Sequence, residues 1–171
     1  MIRPAIDSDV PRINEIRLAV EENRLSDPSW LTEARTREAM HPPGRGWVWE
    51  ESGRVLGFCV ASSEDDSIWA LFVDPQSEGR GCGSALLAEA LEWLGGTGAN
   101  LLRLSTDPDT RAEAFYRSRG WESAGENEKN EVVLEYRLTG ARLLALQKRG
   151  SRKAIESVED QSPRPIEGPP A

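Results

Sequence analysis

Apolar residues first recur with helical spacing at Val10, Ile13, Ile16 and Val20, which predicts an amphipathic helix with one buried face. Asp7 or Ser8 is positioned to cap it, Pro11 falls in its first turn, and its end is expected near Asn23. "IRPA" before it is a short strand candidate and "NRLSDPS" after it a loop. Leu31 to Met40 reads as a second, weakly amphipathic helix that "HPPGRG" breaks. Three apolar runs follow, "WVWEE", "RVLGFCVASS" and "SIWALFV", joined by a Ser-Gly turn and an acidic turn at Glu64 to Asp66; they predict an antiparallel meander. From Gly83 the period changes again. Leu86, Leu87, Ala90, Leu91 and Leu94 share one helical face, with Glu89 and Glu92 opposite and "GGTG" as the stop. "NLLRLST" is the next strand, Asp109 to Arg119 the next helix, and "WESAG" and "EVVLEYRL" the closing strands.

The resulting order is βααβββαβαββ. The strand ending at Val73, the helix after it and the strand "NLLRLST" imply a parallel pair with a crossover helix. The expected fold class is therefore α+β, a central mixed but mostly antiparallel sheet flanked by helices. Past Leu138 the pattern fades: "RLLALQKRGSRKA" suits a basic helical turn or two, and "EDQSPRPIEGPPA" is proline-rich with few apolar residues. Residues 1–138 are expected to form one domain and residues 139–171 a mobile tail, more simply a linker than a docking peptide. The division is also one of charge: the first part holds 15 basic and 25 acidic residues, or −10, and the tail 6 and 4, or +2.

Composition narrows the class. With 38% hydrophobic and 29% charged residues the chain is too polar for a membrane protein and too apolar for wholesale disorder. No apolar run approaches the about 18 residues of a spanning helix, and "MIRPAIDSDV" lacks a signal-peptide pattern, so a cytoplasmic location is expected. The net charge of −8 argues against a nucleic-acid partner and suits a cationic substrate. Cys59 lies in an apparent strand and Cys82 in a glycine-rich loop, so no disulfide is expected; a single histidine, His41, leaves no material for a metal site. Trp47 and Trp49 share one strand face, and Trp69, Trp93 and Trp121 sit on apolar faces, so these five are expected in the core. Trp30, beside the first loop, is the candidate for substrate contact.

The richest local pattern is "LFVDPQSEGRGCGSALL", residues 71–87, in which a strand meets a proline and then glycines at alternate positions before a helix. A helix N-terminus leaves its first amides without partners and favours anions, and Gly79, Gly81 and Gly83 let the backbone approach a ligand closely while Arg80 adds a cation at the rim. Two nucleotide-binding patterns fail. The dinucleotide fingerprint meets Ser84 where it needs glycine and Arg103 where it needs an acid, and a P-loop has no lysine available before Lys129.

"VDPQSEGRGCGSALL" resembles the pyrophosphate motif of the GNAT superfamily of acyl-CoA N-acyltransferases, written Gln or Arg, two residues, Gly, one residue, Gly or Ala. Glu78 stands where the family has Gln or Arg. "DTRAEAFYRSRGW" resembles the family's second signature, with Asp109 in place of Asn, Ala112 matching, and Phe115-Tyr116 followed by Gly120-Trp121. The resemblance spans about residues 2 to 138. It implies acetyl-CoA as co-substrate, with the amides from Arg80 to Ser84, Cys82 among them, holding its pyrophosphate. It further implies a splayed strand whose free backbone groups at Leu71, Phe72 and Val73 face the thioester. Tyr116 would give a proton to the departing thiolate, since a phenol stays protonated at neutral pH. The family's strand glutamate has no counterpart in "SIWALFV". Glu21 and Glu22, read as the end of the first helix, then become candidates to hold the amine, with Glu22 the residue set beside Tyr116 in the chemistry.

The activity implied is transfer of an acetyl group to a primary amine of a small molecule or peptide by direct attack. The alternatives are a non-catalytic acyl-CoA-binding module of the same fold, or an interaction protein acting through its tail. No metal, nucleic acid or membrane is expected, and a homodimer, frequent among such folds, is left open. Cys82 is either a small apolar filler or, at a helix N-terminus, a thiol with a favoured thiolate.

Overall fold

A computed structural model describes residues 1–142 together with 144, 145 and 148. The expected tail from 139 onward therefore lies almost wholly outside the described residues.

The centre of the molecule is Arg54–Ser62 (β3), in which every residue from Val55 to Ala61 is buried. Such a continuous apolar strand needs cover on both faces. Successive side chains point to opposite sides. Cys59 and Ala61 join Trp47 in a cluster with Leu86, Ala90 and Leu94 of Cys82–Gly96 (α3). Phe58 and Val60 join Val48 in a second cluster with Val10, Ile13 and Ile16 of Val10–Ala19 (α1) and Met40 of Glu33–Met40 (α2). The sheet runs Ile2–Pro4 (β1), Gly44–Glu51 (β2), β3, Ser67–Val73 (β4), Leu101–Thr106 (β5), Val132–Arg137 (β7) and Glu122–Glu126 (β6). Arg111–Arg117 (α4) lies between β5 and β6 in sequence. Fold class and element order agree with expectation; 3-10 turns at Asp7–Asp9, Pro28–Trp30 and Pro75–Ser77 are added.

Three local expectations are corrected. First, β2 begins at Gly44, inside the stretch expected only to break the second helix. A Cβ at Gly44 would lie 1.9 Å from the carbonyl oxygen of Ala39, so glycine is what lets the strand pass beneath the end of α2. Second, α1 stops at Ala19 and Val20 is extended, so Glu21 and Glu22 are not helical. Long-range bonds pull the chain away: Asn23, at φ 53°, accepts from the Thr106 hydroxyl (2.9 Å) and the Asp107 amide (2.6 Å) and receives the Arg17 guanidinium on its carbonyl (2.8 Å). Third, Trp69 is not a core residue. Val60 pairs with Ala70 and Ala61 with Ile68, which leaves Trp69 as the extra residue of a β-bulge, 40% exposed.

That bulge sets up the site. β4 and β5 are the parallel pair, yet their register is a single partnership, Ser67 with Arg103, on the N-terminal side of Trp69. Past the bulge β4 keeps its bonds to β3 and leaves β5, opening a wedge in the middle of the sheet.

Candidate functional site: two clefts meeting at a split sheet

Two clefts enter the wedge, one of about 480 Å³ over the glycine loop and one of about 380 Å³ beneath the segment joining α1 and α2. Asn23, Leu71, Phe72, Ala112 and Tyr116 line both, so the clefts meet there.

The glycine-loop cleft follows from backbone geometry. Gly79 and Gly81 have φ of 74° and 80°, a region costly for residues with a Cβ, and Gly81 is the N-cap of α3. The main-chain amides of Gly79, Arg80, Gly81, Gly83 and Ser84 donate to no acceptor among the described residues. Ser77, Glu78, Gly79, Gly81, Cys82, Gly83 and Ser84 line this cleft. Arg80 does not. Its side chain turns to Glu51, at 2.6 and 2.7 Å, so it is not the rim cation expected. The cations here come from α4 and the residues just after it. Arg111 bonds Glu78 (2.8 Å) and lies 3.4 Å from Glu22, whereas Arg119 donates to the Ser84 hydroxyl (2.6 Å) and covers the Phe115 ring at 3.7 Å. Both were missed in the sequence, although Arg111, Phe115 and Arg119 recur at i, i+4 and i+8.

Three further expectations change at this cleft. Asp109 lines neither cleft: it occupies a left-handed turn, φ 59°, in front of the helix cap Thr110, and is exposed with its amide bonded to Glu113. Glu22 lines this cleft and not the one beneath the segment joining α1 and α2, accepting from the Arg111 amide at 2.9 Å. Cys82 is 3% exposed, and burial pushes its thiol up although Arg80 pulls the other way, so the favoured thiolate is not realised.

At the junction, main-chain direction decides which groups of β4 are available. The Asp74 amide donates to the Leu56 carbonyl across β3 at 2.8 Å. Directions alternate along a strand, so Phe72 also faces β3 and Leu71 and Val73 face the open wedge. Of the three residues expected to present free backbone, Phe72 is the exception. Tyr116 is in the core, edge-on to Phe115 and Trp121, and still lines both clefts. Burial pushes its phenol above the ordinary range, so it holds its proton at neutral pH.

The other cleft is lined by both polar and aromatic residues. Trp30, 45% exposed, and Trp69 lie with ring centroids 6.4 Å apart, which brings the expected contact residue Trp30 to the cleft with an unexpected neighbour. Asp107, just past β5, and Glu131, just before β7, bring two carboxylates to the lining. Neither stood out in the sequence, because only the pairing of Thr106 with Val132 brings the two chain segments together. Arg17, from α1, completes it. Its guanidinium stands 4.3 Å from the centre of the Phe72 ring, and its Nη1 has no hydrogen-bond partner.

Comparison with known proteins agrees with this fold. The sequence profile of the acetyltransferase (GNAT) family matches residues 11–121. The chain is 36% identical over 95 residues to the peptidyl-lysine N-acetyltransferase YiaC of Escherichia coli, covering 51% of this chain and 62% of that protein. It is 32% identical over 88 residues to the L-2,4-diaminobutyric acid acetyltransferase of Nocardia farcinica, covering 46% of each. The match thus spans less than two thirds of either relative. The fold superposes on the PaiA N-acetyltransferase of Thermoplasma acidophilum in complex with coenzyme A with a TM-score of 0.71 at 15% identity, over 81% of this chain and 98% of that one. A GCN5-related N-acetyltransferase of Kribbella flavida gives 0.67 at 25% identity, over 81% and 97%.

Proposed function

Because the chain belongs to the GNAT acetyltransferase family, we propose that it moves an acetyl group from acetyl-CoA to a primary amine of a small molecule or peptide, by direct attack where the two clefts meet. The observation that carries this reading is the set of main-chain amides of Gly79, Arg80, Gly81, Gly83 and Ser84 that donate to no acceptor among the described residues, at the start of a fifteen-residue helix and beside the open edge of β4. Donors oriented in this way fit a diphosphate without any side chain. Glu78 does not oppose it, since Arg111 neutralises that carboxylate.

The co-substrate supplies an activated thioester; the amine nitrogen bonds to its carbonyl carbon, the carbon–sulfur bond breaks, and the thiolate takes up a proton. Three needs then fall on the chain. An amide facing the wedge, from Leu71 or Val73, stabilises the developing oxyanion. Tyr116 donates the proton to sulfur. Asp107 and Glu131 draw in the ammonium and accept the proton it must lose before attack, in the absence of a strand glutamate.

Titration calorimetry with CoA and a thiol-release assay with acetyl-CoA and a panel of amines test the reading. We expect CoA to bind and at least one amine to accelerate thiol release. CoA binding without release from any amine would leave a binding module of the same fold, and no CoA binding would remove the reading.

A further inference from the structure

Among the described residues three buried side-chain atoms lack a hydrogen-bond partner: the indole nitrogens of Trp49 and Trp121, and Nη1 of Arg17. Only the last carries charge. Buried polar groups are nearly always paired, and a guanidinium withdrawn from water without a counter-ion is unfavourable enough to need a reason. Among the described residues none pairs with Nη1 directly. Nη2 bonds only the Asn23 carbonyl, no carboxylate of a described residue makes an ion pair with Arg17, and Asp107 acts on it from beyond that range. Burial accordingly lowers the proton affinity of the group.

The position is as informative as the missing partner. Arg17 lines the acceptor cleft, and its guanidinium lies over Phe72, which lines both clefts. Asp107 and Glu131 reach the same lining from the ends of β5 and β7, so one cleft of about 380 Å³ presents two carboxylates together with Arg17, Arg24 and Lys129, and of these cations Arg17 is the one with a buried nitrogen that has no hydrogen-bond partner. A ligand complementary to that arrangement carries both an ammonium and a carboxylate.

We propose that Arg17 binds a carboxylate of the acceptor, making the substrate an amino-acid-like amine rather than a side-chain amine flanked only by amides. This rests on the acyl-transfer reading above. Free amino acids and the C-terminus of a short peptide offer the same chemistry, and guanidinium is suited to either because its fork accepts both carboxylate oxygens.

The test is a matched series in the thiol-release assay. Each free amino acid, ornithine included, is compared with its carboxamide and its decarboxylated amine, beside lysine peptides with free or amidated C-termini. With the unaltered protein, the carboxylate-bearing member of a productive series should exceed its amide about 50-fold in kcat/KM, mostly through KM, the size expected for a hydrogen bond to a charged group. Arg17→Gln should collapse that ratio toward one. Preference for the free acid assigns the source to amino acids, and preference for the free peptide C-terminus assigns it to peptides. Equal rates for acid and amide would overturn the role of Arg17 while leaving acyl transfer intact. Absence of thiol release with every amine would instead remove both. The decisive comparison uses the unaltered protein, so a poorly folding variant cannot obscure it.

Discussion

At the scale of single residues, burial explains two side chains that carry opposite expectations. Tyr116 is enclosed by Phe115 and Trp121, and that enclosure raises its phenol while leaving the residue on the lining of both clefts. The packing role is therefore compatible with the proposed acid role. Tyr116→Phe keeps the ring contacts and removes only the hydroxyl. We expect an unchanged melting temperature within a degree or two and a fall in kcat of about 100-fold or more, the usual worth of a positioned acid. The sign of the shift adds a second expectation: a group whose folded pKa is raised keeps its proton longer, so titration of Tyr116 should cause no loss of kcat as pH rises toward about 10. An alkaline limb that Tyr116→Phe abolishes well below that value would contradict it. Burial raises the Cys82 thiol as well, and there it removes the expected reactivity. With its thiol pushed up and little surface exposed, it should react with iodoacetamide more slowly in the native protein than in the urea-unfolded chain at the same pH, as mass spectrometry of the labelled peptide would show.

Among the elements, β4 does most to shape the site, because one extra residue in it separates two strands. Trp69 is that residue and lines only the acceptor cleft, whereas Gly81 caps α3 and lines only the other. Their substitutions should separate accordingly. Trp69→Ala should raise KM for the amine several-fold with CoA affinity unchanged. Gly81→Ala forces a Cβ into φ 80°, at a cost of about 1–2 kcal/mol, and should weaken CoA binding measured by calorimetry. The same contrast shows what a sequence can disclose. The helix starting near Gly83 and the meander before it were legible because their periods lie in neighbouring residues, and the glycine loop was legible because its demand on φ is local. Trp69 was misread, since alternation along "SIWALFV" carries no mark of a bulge that only pairing with Val60 and Ala61 creates. The end of α1 was misplaced because Asn23 is held by Thr106 and Asp107, more than eighty positions away. Arg17, Asp107 and Glu131 were missed for the same reason: each is an ordinary surface residue type until the fold places all three around one cleft.

Across the whole molecule, two buried carboxylates brace the scaffold, one of them beside the site. Asp74 closes β4 where the glycine loop begins. It pairs with Arg12 of α1 and, at 3.3 Å, with Arg54 of β3, and it accepts the Gln76 amide at 3.0 Å. Asp9 is gripped by two nitrogens of Arg3, at 2.7 and 2.9 Å, and accepts the Ile6 amide. Burial works to raise both carboxyls. The guanidinium and amide bonds outweigh it, so each is held below its ordinary value. A carboxyl depressed by folding stabilises the native state at all pH above its unfolded value, and that contribution is lost as pH falls through the folded value, which here means below about 4. Between neutrality and the sequence pI of about 4.8 a different effect acts, since the net charge of −8 is progressively relieved. The melting temperature should therefore stay level or rise slightly down to about pH 5 and then drop steeply. Asp74→Asn should cost about 1.5–3 kcal/mol at pH 7, because it removes a buried carboxylate that bonds Arg12 and Arg54, and should make the acid limb shallower. A native protein whose melting temperature continued to rise down to pH 3 would show that these pairs add nothing net to stability, and the footing that Asp74 gives the start of the glycine loop would need another source.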